Sequence, residues 1–231
     1  YVLRLDKIMN LLNSKKTLKK INNFWKKKSN LIIWQNKPKK ILQGKNFYQD
    51  GLVNISYNCL RKNINEGKAN KVAVVFVSEK FEIFKLTYRE LENLVDHFIN
   101  FLLKNFKKKE IFDNVLAIHS SANVVSAISM LACAKLGVTH CVLFDDLSKD
   151  AIKIRLNLLK SKIIITGASD EDFKEKINIQ KNIKIIRFVS DRNKKNVKLN
   201  INIQTFLKNK NYNLYNYKYK KIKSNKASFV L

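Results

Sequence analysis

The fold is decided by residues 115–144, which read VLAIHSSANVVSAISMLACAKLGVTHCVLF. Two apolar runs, at residues 115–118 and 139–144, have the length of strands, and a helical segment from about residue 123 to residue 136 lies between them. Gly137 stands where the end of a helix commonly requires a left-handed residue. A strand, a helix and a second strand in this order predict parallel strands joined by a right-handed crossover.

The same alternation continues downstream of this stretch. Ser148 predicts the N-cap of a further helix, and residues 162–166 and 183–189 have the composition of strands. Amphipathic helices between short strands are typical of a sheet that is covered on both faces. The predicted fold class is therefore α/β, with a mostly parallel sheet flanked by helices.

Upstream of the central stretch, two more strands and a helix are predicted. Residues 72–77, VAVVFV, form an apolar run typical of a strand buried on both faces, and residues 83–86 predict a second strand. Thr87 and Glu90 have the spacing of a capping box. Apolar residues then recur at three- and four-residue steps, so we expect a long amphipathic helix that begins at this box.

The two ends of the chain differ from its middle. Residues 1 to about 45 predict a helical, lysine-rich arm, whereas residues 191–223 are rich in Lys, Asn and Tyr and predict a loosely structured connection. We expect three parts: an N-terminal extension at 1–66, an α/β subdomain at 67–190, and a connection with a final strand at 191–231.

Charge is the most unusual feature of the composition. The 231 residues are 45% hydrophobic, which excludes a wholly disordered chain, and 46 basic against 18 acidic residues give a net charge of +28. Such a charge is typical of proteins that bind nucleic acid. Only six of the basic residues are arginine, however, and lysine accumulates on tolerant surfaces when the coding sequence is rich in A and T. We therefore expect no nucleic-acid partner.

A second hypothesis keeps the charge as a functional feature. Lysine clusters at residues 26–28, 107–109 and 218–223 have aromatic residues nearby, and such clusters can bind an anionic partner through a non-catalytic α/β module. Solvated faces and loops are the simpler interpretation of the same lysines.

The cysteines and the hydropathy indicate the compartment. Cys59, Cys133 and Cys141 form no CxxC pair, which disfavours a disulfide framework and a zinc site and predicts small buried side chains. No apolar run approaches the roughly 20 residues of a membrane span. We expect a cytoplasmic protein that has no membrane partner.

The residues alone supply no complete active site. There is no glycine-rich phosphate motif, and His97, His119 and His140 do not have the spacing of a metal site. His140 and Cys141 are neighbours on a predicted strand, where adjacent side chains point to opposite faces and cannot easily share a proton.

One pair of carboxylates stands at a place where open α/β sheets bind ligands. Asp145 and Asp146 directly follow the predicted strand at 139–144. Two interpretations remain open: a Mg²⁺ site, or a solvated turn before the Ser148 cap.

The N-terminal half also carries the motifs of a known family. Residues 50–60, DGLVNISYNCL, resemble the segment near the start of AMP-forming short-chain acyl-CoA synthetases of the acetyl-CoA and propionyl-CoA synthetase type. Phe24-Trp25, Trp34 and Phe47-Tyr48 precede this segment in the order of that family's N-terminal extension.

The resemblance continues along the chain. KLTYREL at 85–91, MLACAKLG at 130–137 followed by His140, and IIIT at 163–166 are similar to elements of the family in the same order. SFVL at 228–231 resembles the strand that leads into the family's phosphate loop. The resemblance thus implies the first third of an adenylating domain, and we expect the catalytic and ATP-binding residues to lie beyond Leu231.

The family's reaction, as the resemblance implies it, has two steps. A carboxylate attacks the α-phosphate of Mg²⁺-bound ATP to give an acyl-adenylate, and the CoA thiol then displaces AMP. Acetate or propionate, ATP, CoA and Mg²⁺ are thus expected for a longer protein, and the chain alone is expected to be inactive.

The one ligand surface that the resemblance places in this chain is part of the CoA nucleotide site. Phe144 matches the family's FGGF turn, but Asp145 and Asp146 replace its glycines, and the loop after Thr166 has no arginine. Carboxylates there remove close backbone approach and repel phosphate. Either CoA binds differently through Phe144, Asp145 and Asp146, or the chain is a diverged copy.

Overall fold

The computed structural model describes most of the chain. The described residues are 15–44, 46–77, 81, 83–120, 123–177, 182–189, 199–208, 217–224, 226, 229 and 230. The chain divides into two compact units, Tyr1–Val53 with Lys221–Lys226 and Asn54–Lys220 with Ala227–Leu231.

The secondary structure is numbered along the described chain. The helices are α1 Lys15–Ser29, α2 Ile55–Cys59, α3 Arg61–Asn63, α4 Tyr88–Asn105, α5 Lys108–Phe112, α6 Val124–Leu136, α7 Lys149–Leu158, α8 Asp170–Asp172 and α9 Ile203–Lys208, with π-helical turns at Ile64–Lys68 and Phe173–Ile177. The strands are β1 Leu42–Gln43, β2 Asn46–Phe47, β3 Leu52–Val53, β4 Val72–Val77, β5 Ile83–Thr87, β6 Leu116–His119, β7 His140–Leu143, β8 Ile163–Thr166, β9 Lys184–Val189, β10 Asn200–Asn202, β11 Ile222–Lys223 and β12 Phe229–Val230.

The first unit contains one helix and short antiparallel strands. β1 pairs with β2, and β3 pairs with β11. The expected helical arm is correct for α1 but wrong for residues 31–44, and residues 1–14 and 45 lie outside the described part. Pro38, which has no backbone N–H, and Gly44, with a φ of 61°, favour turns over helix in this segment.

The second unit contains the predicted parallel sheet. Its six strands lie in the order β10-β9-β8-β6-β7-β12, and every neighbouring pair is parallel. β7 lies on one side of β6 and β8 on the other. The chain therefore turns back across the sheet after β7, and the point where the strand order switches lies between β6 and β8. This confirms the predicted α/β class and its parallel strands.

Both faces of this sheet are buried. Ile163 and Ile165 of β8 belong to a first core cluster, to which α4 and α6 contribute Phe98 and Ile128. Ile164, between them, belongs to a second cluster on the opposite face. The second cluster is completed by α7 and the following π-helical turn, which contribute Ile152, Leu156, Phe173 and Ile177.

β4 differs from its prediction. It pairs antiparallel with β5 in a separate two-stranded sheet, and Val75 and Val77 are 52% and 60% exposed. Val74 and Phe76 of the same strand pack against the first core cluster. The prediction of burial on both faces is therefore wrong, because the described part of the chain covers only one face of this hairpin.

The helix termini follow the sequence closely. The Thr87 hydroxyl accepts a hydrogen bond from the Glu90 backbone N–H at 3.2 Å, and the Glu90 carboxylate accepts one from the Thr87 N–H at 2.8 Å. Gly137 ends α6 with a φ of 70°, and Ser148 caps α7. The capping box, the left-handed glycine and the serine cap are thereby confirmed.

The predicted connection at 191–223 is more ordered than expected where it is described. Residues 190–198 and 209–216 lie outside the described part. Between them, β10 pairs with β9 and is followed by α9. Ile201 and Phe206 are buried there, and the Phe206 ring lies 5.5 Å from that of Phe188. Ile201 and Phe206 thus pack into the core from a segment that is otherwise rich in Asn and Lys, and β10 extends the sheet there. The expectation of loose structure is therefore wrong for residues 199–208.

Within the described ranges, none of the helices combines the length and the apolar character that crossing a bilayer requires.

Candidate functional site

The carboxyl ends of β6 and β8 lie at the edge where open α/β sheets bind ligands. These strands are neighbours, but the chain leaves them on opposite faces, because α6 packs in the first core cluster and the turn after β8 packs in the second. Such a divergence opens a crevice at the edge of the sheet. The sequence placed ligand chemistry at this edge through Phe144, Asp145 and Asp146, which follow β7.

The wall of the crevice is polar and buried. The His119 Nδ1 atom lies 3.3 Å from the Thr166 hydroxyl, which accepts a hydrogen bond from the Ala168 backbone N–H at 3.1 Å. His119 Nε2 and Ser120 Oγ make no hydrogen bond within the part of the chain that is described. Burial lowers the pKa of His119, so its imidazole is neutral at pH 7.

The loop after β8 closes one side of this crevice and is held by an arginine. A Cβ atom at Gly167 would lie 3.0 Å from Ser120 Oγ, so the loop can approach β6 closely only with glycine there. Arg187 Nη2 donates hydrogen bonds to the carbonyls of Ala168 and Ser169 at 3.4 and 3.2 Å, and its guanidinium lies 4.0 Å above the Phe173 ring.

Arg187 was missed in the sequence, although a signal was present. It is one of six arginines in a chain whose other basic residues are lysine, and a guanidinium can stack and donate in several directions where an ammonium cannot.

Phe144, Asp145 and Asp146 form an exposed turn at the same edge. Phe144 is 67% exposed. Lys176 Nζ donates to the Asp145 backbone carbonyl at 3.2 Å and pairs with the Asp172 carboxylate at 2.7 Å. A cation therefore lies beside this acidic turn.

The side-chain ligands that a metal ion could find at that turn are its two carboxylates. Among the described residues, His, Cys, Asp and Glu form no group of three that suits a metal ion. Asp145 and Asp146 thus lie at this turn as two exposed carboxylates with no third such ligand in the described part of the chain.

The His140–Cys141 pair is not brought together. His140 lies opposite Leu116 in the β6–β7 register and Cys141 opposite Ala117, so the two side chains occupy opposite faces of the sheet. Burial lowers the pKa of His140 and raises the pKa of Cys141. Both groups are therefore neutral at pH 7 and unsuited to nucleophilic chemistry.

The prediction that all three cysteines are buried is correct for two of them. Cys133 and Cys141 are buried, as predicted, and burial raises the pKa of the Cys133 thiol to about 12. Cys59 is exposed, so its predicted burial is wrong. All three are free thiols.

In the first unit, the aromatic motifs converge on the start of the DGLVN segment. The Trp25 and Phe47 rings lie 5.5 Å apart, and those of Trp34 and Tyr48 lie 5.2 Å apart. A Cβ atom at Gly51 would come within 2.6 Å of the Trp34 ring, which explains the need for glycine there. These residues therefore have a structural role.

Asn54, in the second unit, is a structural hub. Its buried amide donates to the carbonyls of Ala134, Lys135 and Lys220 at 2.9, 3.2 and 3.0 Å, and its carbonyl accepts from the Tyr57 N–H at 3.1 Å. The side chain thereby provides hydrogen-bond donors for carbonyls in the last turn of α6 and caps the N-terminus of α2.

Two ion pairs with buried carboxylates were also missed in the sequence. Arg61 binds Glu92 in a bidentate manner, with Nε–Oε1 and Nη2–Oε2 distances of 2.9 and 2.6 Å, and the Tyr219 hydroxyl donates to the same carboxylate. Lys135 Nζ lies 2.6 Å from Asp96 Oδ1 and 4.2 Å above the Tyr219 ring. Desolvation by burial raises the pKa of Asp96 to about 6.

Their positions in the sequence gave a weak signal. Glu92 and Asp96 stand four residues apart on the face of α4 that the apolar stripe had assigned to the core. Carboxylates on a core face require partners, but sequence spacing does not identify them.

The predicted lysine clusters are exposed. Residues 26–28 form the last turn of α1, residues 107–109 begin α5, and the lysines at 218, 220, 221 and 223 are also exposed. Their exposure agrees with either interpretation of the charge.

Comparison with known proteins gives the same family that the motifs indicated. Residues 60–225 match the family model described as AMP-binding enzyme. The chain is 30% identical over 149 residues to the acetyl-coenzyme A synthetase of Streptomyces coelicolor, which covers 62% of this chain and 22% of that protein. It is 35% identical over 150 residues to the corresponding protein of Cupriavidus necator, with the same coverage of both chains.

A solved structure shows the same fold. An acyl-CoA synthetase from Brucella canis superposes with a TM-score of 0.59 at 15% identity, over 74% of this chain and 30% of that one. The chain thus spans about a fifth to a third of the length of these proteins. The parallel sheet, the ordered motifs and a family match over more than half of its residues place the chain in the AMP-binding enzyme family.

Proposed function

We propose that this chain is the N-terminal part of an AMP-forming acetate- or propionate-CoA ligase, which joins a carboxylate and CoA with conversion of ATP to AMP and diphosphate. The observation that carries the proposal is the 35% identity over 150 residues to a protein named acetyl-coenzyme A synthetase. The apolar side chains that the described β4–β5 hairpin leaves exposed, such as Val77 and Ile83, agree with a segment that packs within a longer protein.

The role of each part follows from this proposal. Residues 1–66 serve as the N-terminal extension, residues 67–190 as the first α/β subdomain, and residues 191–231 as the connection toward the phosphate loop. We place the ligase in the cytoplasm, since three free thiols suit a reducing compartment.

The CoA nucleotide meets this chain at the turn after β7. The Phe144 ring is 67% exposed and offers a face on which a base can stack. Asp145 and Asp146 repel phosphate, so we place the base and not the phosphates against this turn. Lys176, which contacts the Asp145 carbonyl, is the nearby cation that offsets part of this repulsion.

ATP, Mg²⁺ and the carboxylate are assigned to the longer protein. When bound, Mg²⁺ supplies charge neutralisation at the phosphates of ATP. The residues of this chain contribute no catalytic group under this proposal, and the 231-residue chain is inactive by itself.

An activity assay and the adjoining sequence test the proposal together. The 231-residue chain, incubated with acetate, CoA and Mg²⁺-ATP, should form no AMP above background, and robust turnover would show that the chemistry lies within it. The reading frame after Leu231 should encode a Ser/Thr/Gly-rich stretch that ends near a lysine. A stop codon at that point would instead favour a degenerate paralogue.

The CoA contact has its own test in the longer protein. Phe144→Ala should raise the KM for CoA several-fold and leave the KM for ATP unchanged, because only the CoA base is placed against this ring. Phe84→Ala is a suitable control, since Phe84 is an exposed aromatic residue of the β4–β5 hairpin. Equal KM values for CoA in wild type and Phe144→Ala would exclude the contact.

A second function is kept because of the charge. A non-catalytic module with a net charge of +28 and exposed lysines at 26–28 and 107–109 would bind an anionic partner such as duplex DNA or RNA. Its binding would fall steeply with added salt. Filter binding at physiological salt should detect a complex if this function is real, and its absence would dispose of it.

A further inference from the structure

The first unit contains a cleft that the proposed ligase activity does not use. Its volume is about 340 Å³, at the lower end of the range for small-molecule sites. One wall is formed by Asn22, Lys26 and Ser29 of the second half of α1 and by Asn30 directly after it, and the other is formed by residues 37–42.

The cleft is strongly basic and has no carboxylate in its lining. Lys26, Lys37, Lys39 and Lys40 line it, and no acidic side chain does. Four lysines elsewhere in the described chain, Lys68, Lys135, Lys176 and Lys184, each pair with a carboxylate. The Asp50 carboxylate, which contacts the backbone of Lys39 and Lys40, is the opposite charge beside this wall, so the four lysines leave the cleft with a net positive charge.

Composition bias does not account for this arrangement. A lysine-rich chain places most ammonium groups on exposed surface, where water separates them, and residues 107–109 at the start of α5 are exposed in this way. Four lysines around one concavity repel one another at shorter range. Lys26 also complements the dipole at the C-terminal end of α1, but the other three lie outside the helix and have no such role.

The walls hold this arrangement in place without a ligand. Pro38, the single proline of the chain, is buried and fixes its own backbone angle. The Asp50 carboxylate accepts a hydrogen bond from the Lys39 backbone N–H at 2.9 Å. Lys37 Nζ donates to Asn30 Oδ1 at 3.0 Å across the cleft. A preformed site loses less conformational entropy when it binds.

We infer that this cleft binds the phosphate groups of an oligophosphate, either inorganic diphosphate or the diphosphate of a nucleotide. Ammonium groups, with the amides of Asn22 and Asn30, can donate hydrogen bonds to several phosphate oxygens at once. None of the residues that line the cleft is aromatic, so a base has no stacking partner there. Recognition should therefore depend on the phosphates alone.

Tryptophan fluorescence of the 231-residue chain can test this site. Both tryptophans of the chain, Trp25 and Trp34, lie in the first unit. The Trp34 indole donates to the Ser29 carbonyl at 2.8 Å, and Ser29 lines the cleft. Titration with inorganic diphosphate at physiological salt should give a saturable change in tryptophan fluorescence. The affinity for diphosphate should be at least about tenfold higher than that for sulfate, because diphosphate engages more charge.

Matched variants separate the cleft from overall charge. The triple variant Lys37→Gln, Lys39→Gln and Lys40→Gln should weaken diphosphate binding at least tenfold. This triple variant keeps the hydrogen bond from the residue 39 backbone N–H to the Asp50 carboxylate. The control Lys107→Gln, Lys108→Gln and Lys109→Gln removes the same charge from an exposed surface in the other unit and should change the affinity less than twofold. Equal losses in the two variants would overturn the site.

Three further measurements decide the ligand. ADP and CoA should bind as inorganic diphosphate does, and adenosine should not compete. Competition by adenosine, or the absence of a saturable change with diphosphate, would contradict the inference. If the triple variant does not fold by circular dichroism, Lys39→Gln alone should still weaken binding two- to fivefold. None of these readouts depends on ligase activity.

Discussion

β4 and β8 are alike in composition and opposite in surroundings. VAVVFV at 72–77 and IIIT at 163–166 are both apolar runs rich in β-branched residues. All four residues of β8 are buried, whereas Val72, Val75 and Val77 of β4 are about half exposed or more. A run of this kind thus determines strand formation, while the elements that cover the strand determine its burial.

The charged residues show the same contrast. Lys135 and Asp96 form an ion pair whose side chains are 0% and 4% exposed, whereas those of Lys184 and Glu110 are 53% and 27% exposed. An exposed pair contributes little to stability, but a buried pair must stay intact because a single charge left in the core is costly. The surroundings again decide the effect.

Removal of one charge from the buried pair should have the largest effect. Lys135→Met leaves the Asp96 carboxylate without its partner in the core and should lower the free energy of unfolding by about 3–5 kcal/mol. Urea denaturation followed by circular dichroism measures this change. The double variant Lys135→Met with Asp96→Leu should recover most of the loss, and failure to recover it would show that packing and not charge sets the effect.

A truncation in the buried strand should come next. Ile165→Ala in β8 removes a fully buried side chain from the first core cluster and should cost about 3 kcal/mol, through lost burial and the cavity that remains. Its matched control is Ile83→Ala in the hairpin, where the side chain is 64% exposed. A cost for Ile83→Ala equal to that of Ile165→Ala would show that the hairpin is covered.

Much of the fold could be predicted because its signals are local. The Thr87–Glu90 box, Gly137 and Ser148 each act within a few residues, and the alternation of strands and helices determines the parallel sheet. The family motifs, matched in order along the chain, identified the family itself.

What could not be predicted depends on contacts that are distant in sequence. Asn54 meets Ala134 and Lys220, 80 and 166 residues away, and Arg187 holds a loop 18 residues before it. Exposure of the hairpin at β4 depends on which other elements reach it. Partners at such separations leave no spacing pattern in a single sequence.

The pH dependence of the free energy of unfolding tests the surroundings of the Lys135–Asp96 pair. The folded pKa of Asp96 is about 6, above its usual value of 3.8, so the folded chain binds more protons between these values. This group therefore contributes stability that grows as the pH falls through 6 and is lost as the pH rises above it. The slope is at most about 1.4 kcal/mol per pH unit.

A difference measurement isolates this contribution from the other titrating groups. The free energy of unfolding of wild type minus that of Asp96→Asn should rise between pH 7 and pH 5, as measured by urea denaturation at each pH. A constant difference would show that the pKa of Asp96 is not raised. A difference that falls with decreasing pH would show that Lys135 outweighs burial and lowers that pKa.

The smallest effect should come from the exposed face of β4. Val75→Thr keeps the β-branched shape that favours a strand and places a hydroxyl in water, so the free energy of unfolding should change by no more than about 0.5 kcal/mol. Val74→Thr, one residue away on the face that packs against the first core cluster, buries the same hydroxyl and should cost about 1–3 kcal/mol. Thermal and urea denaturation of the two variants compare the faces directly. Equal costs would mean that both faces of β4 are covered in solution, as its apolar run had predicted.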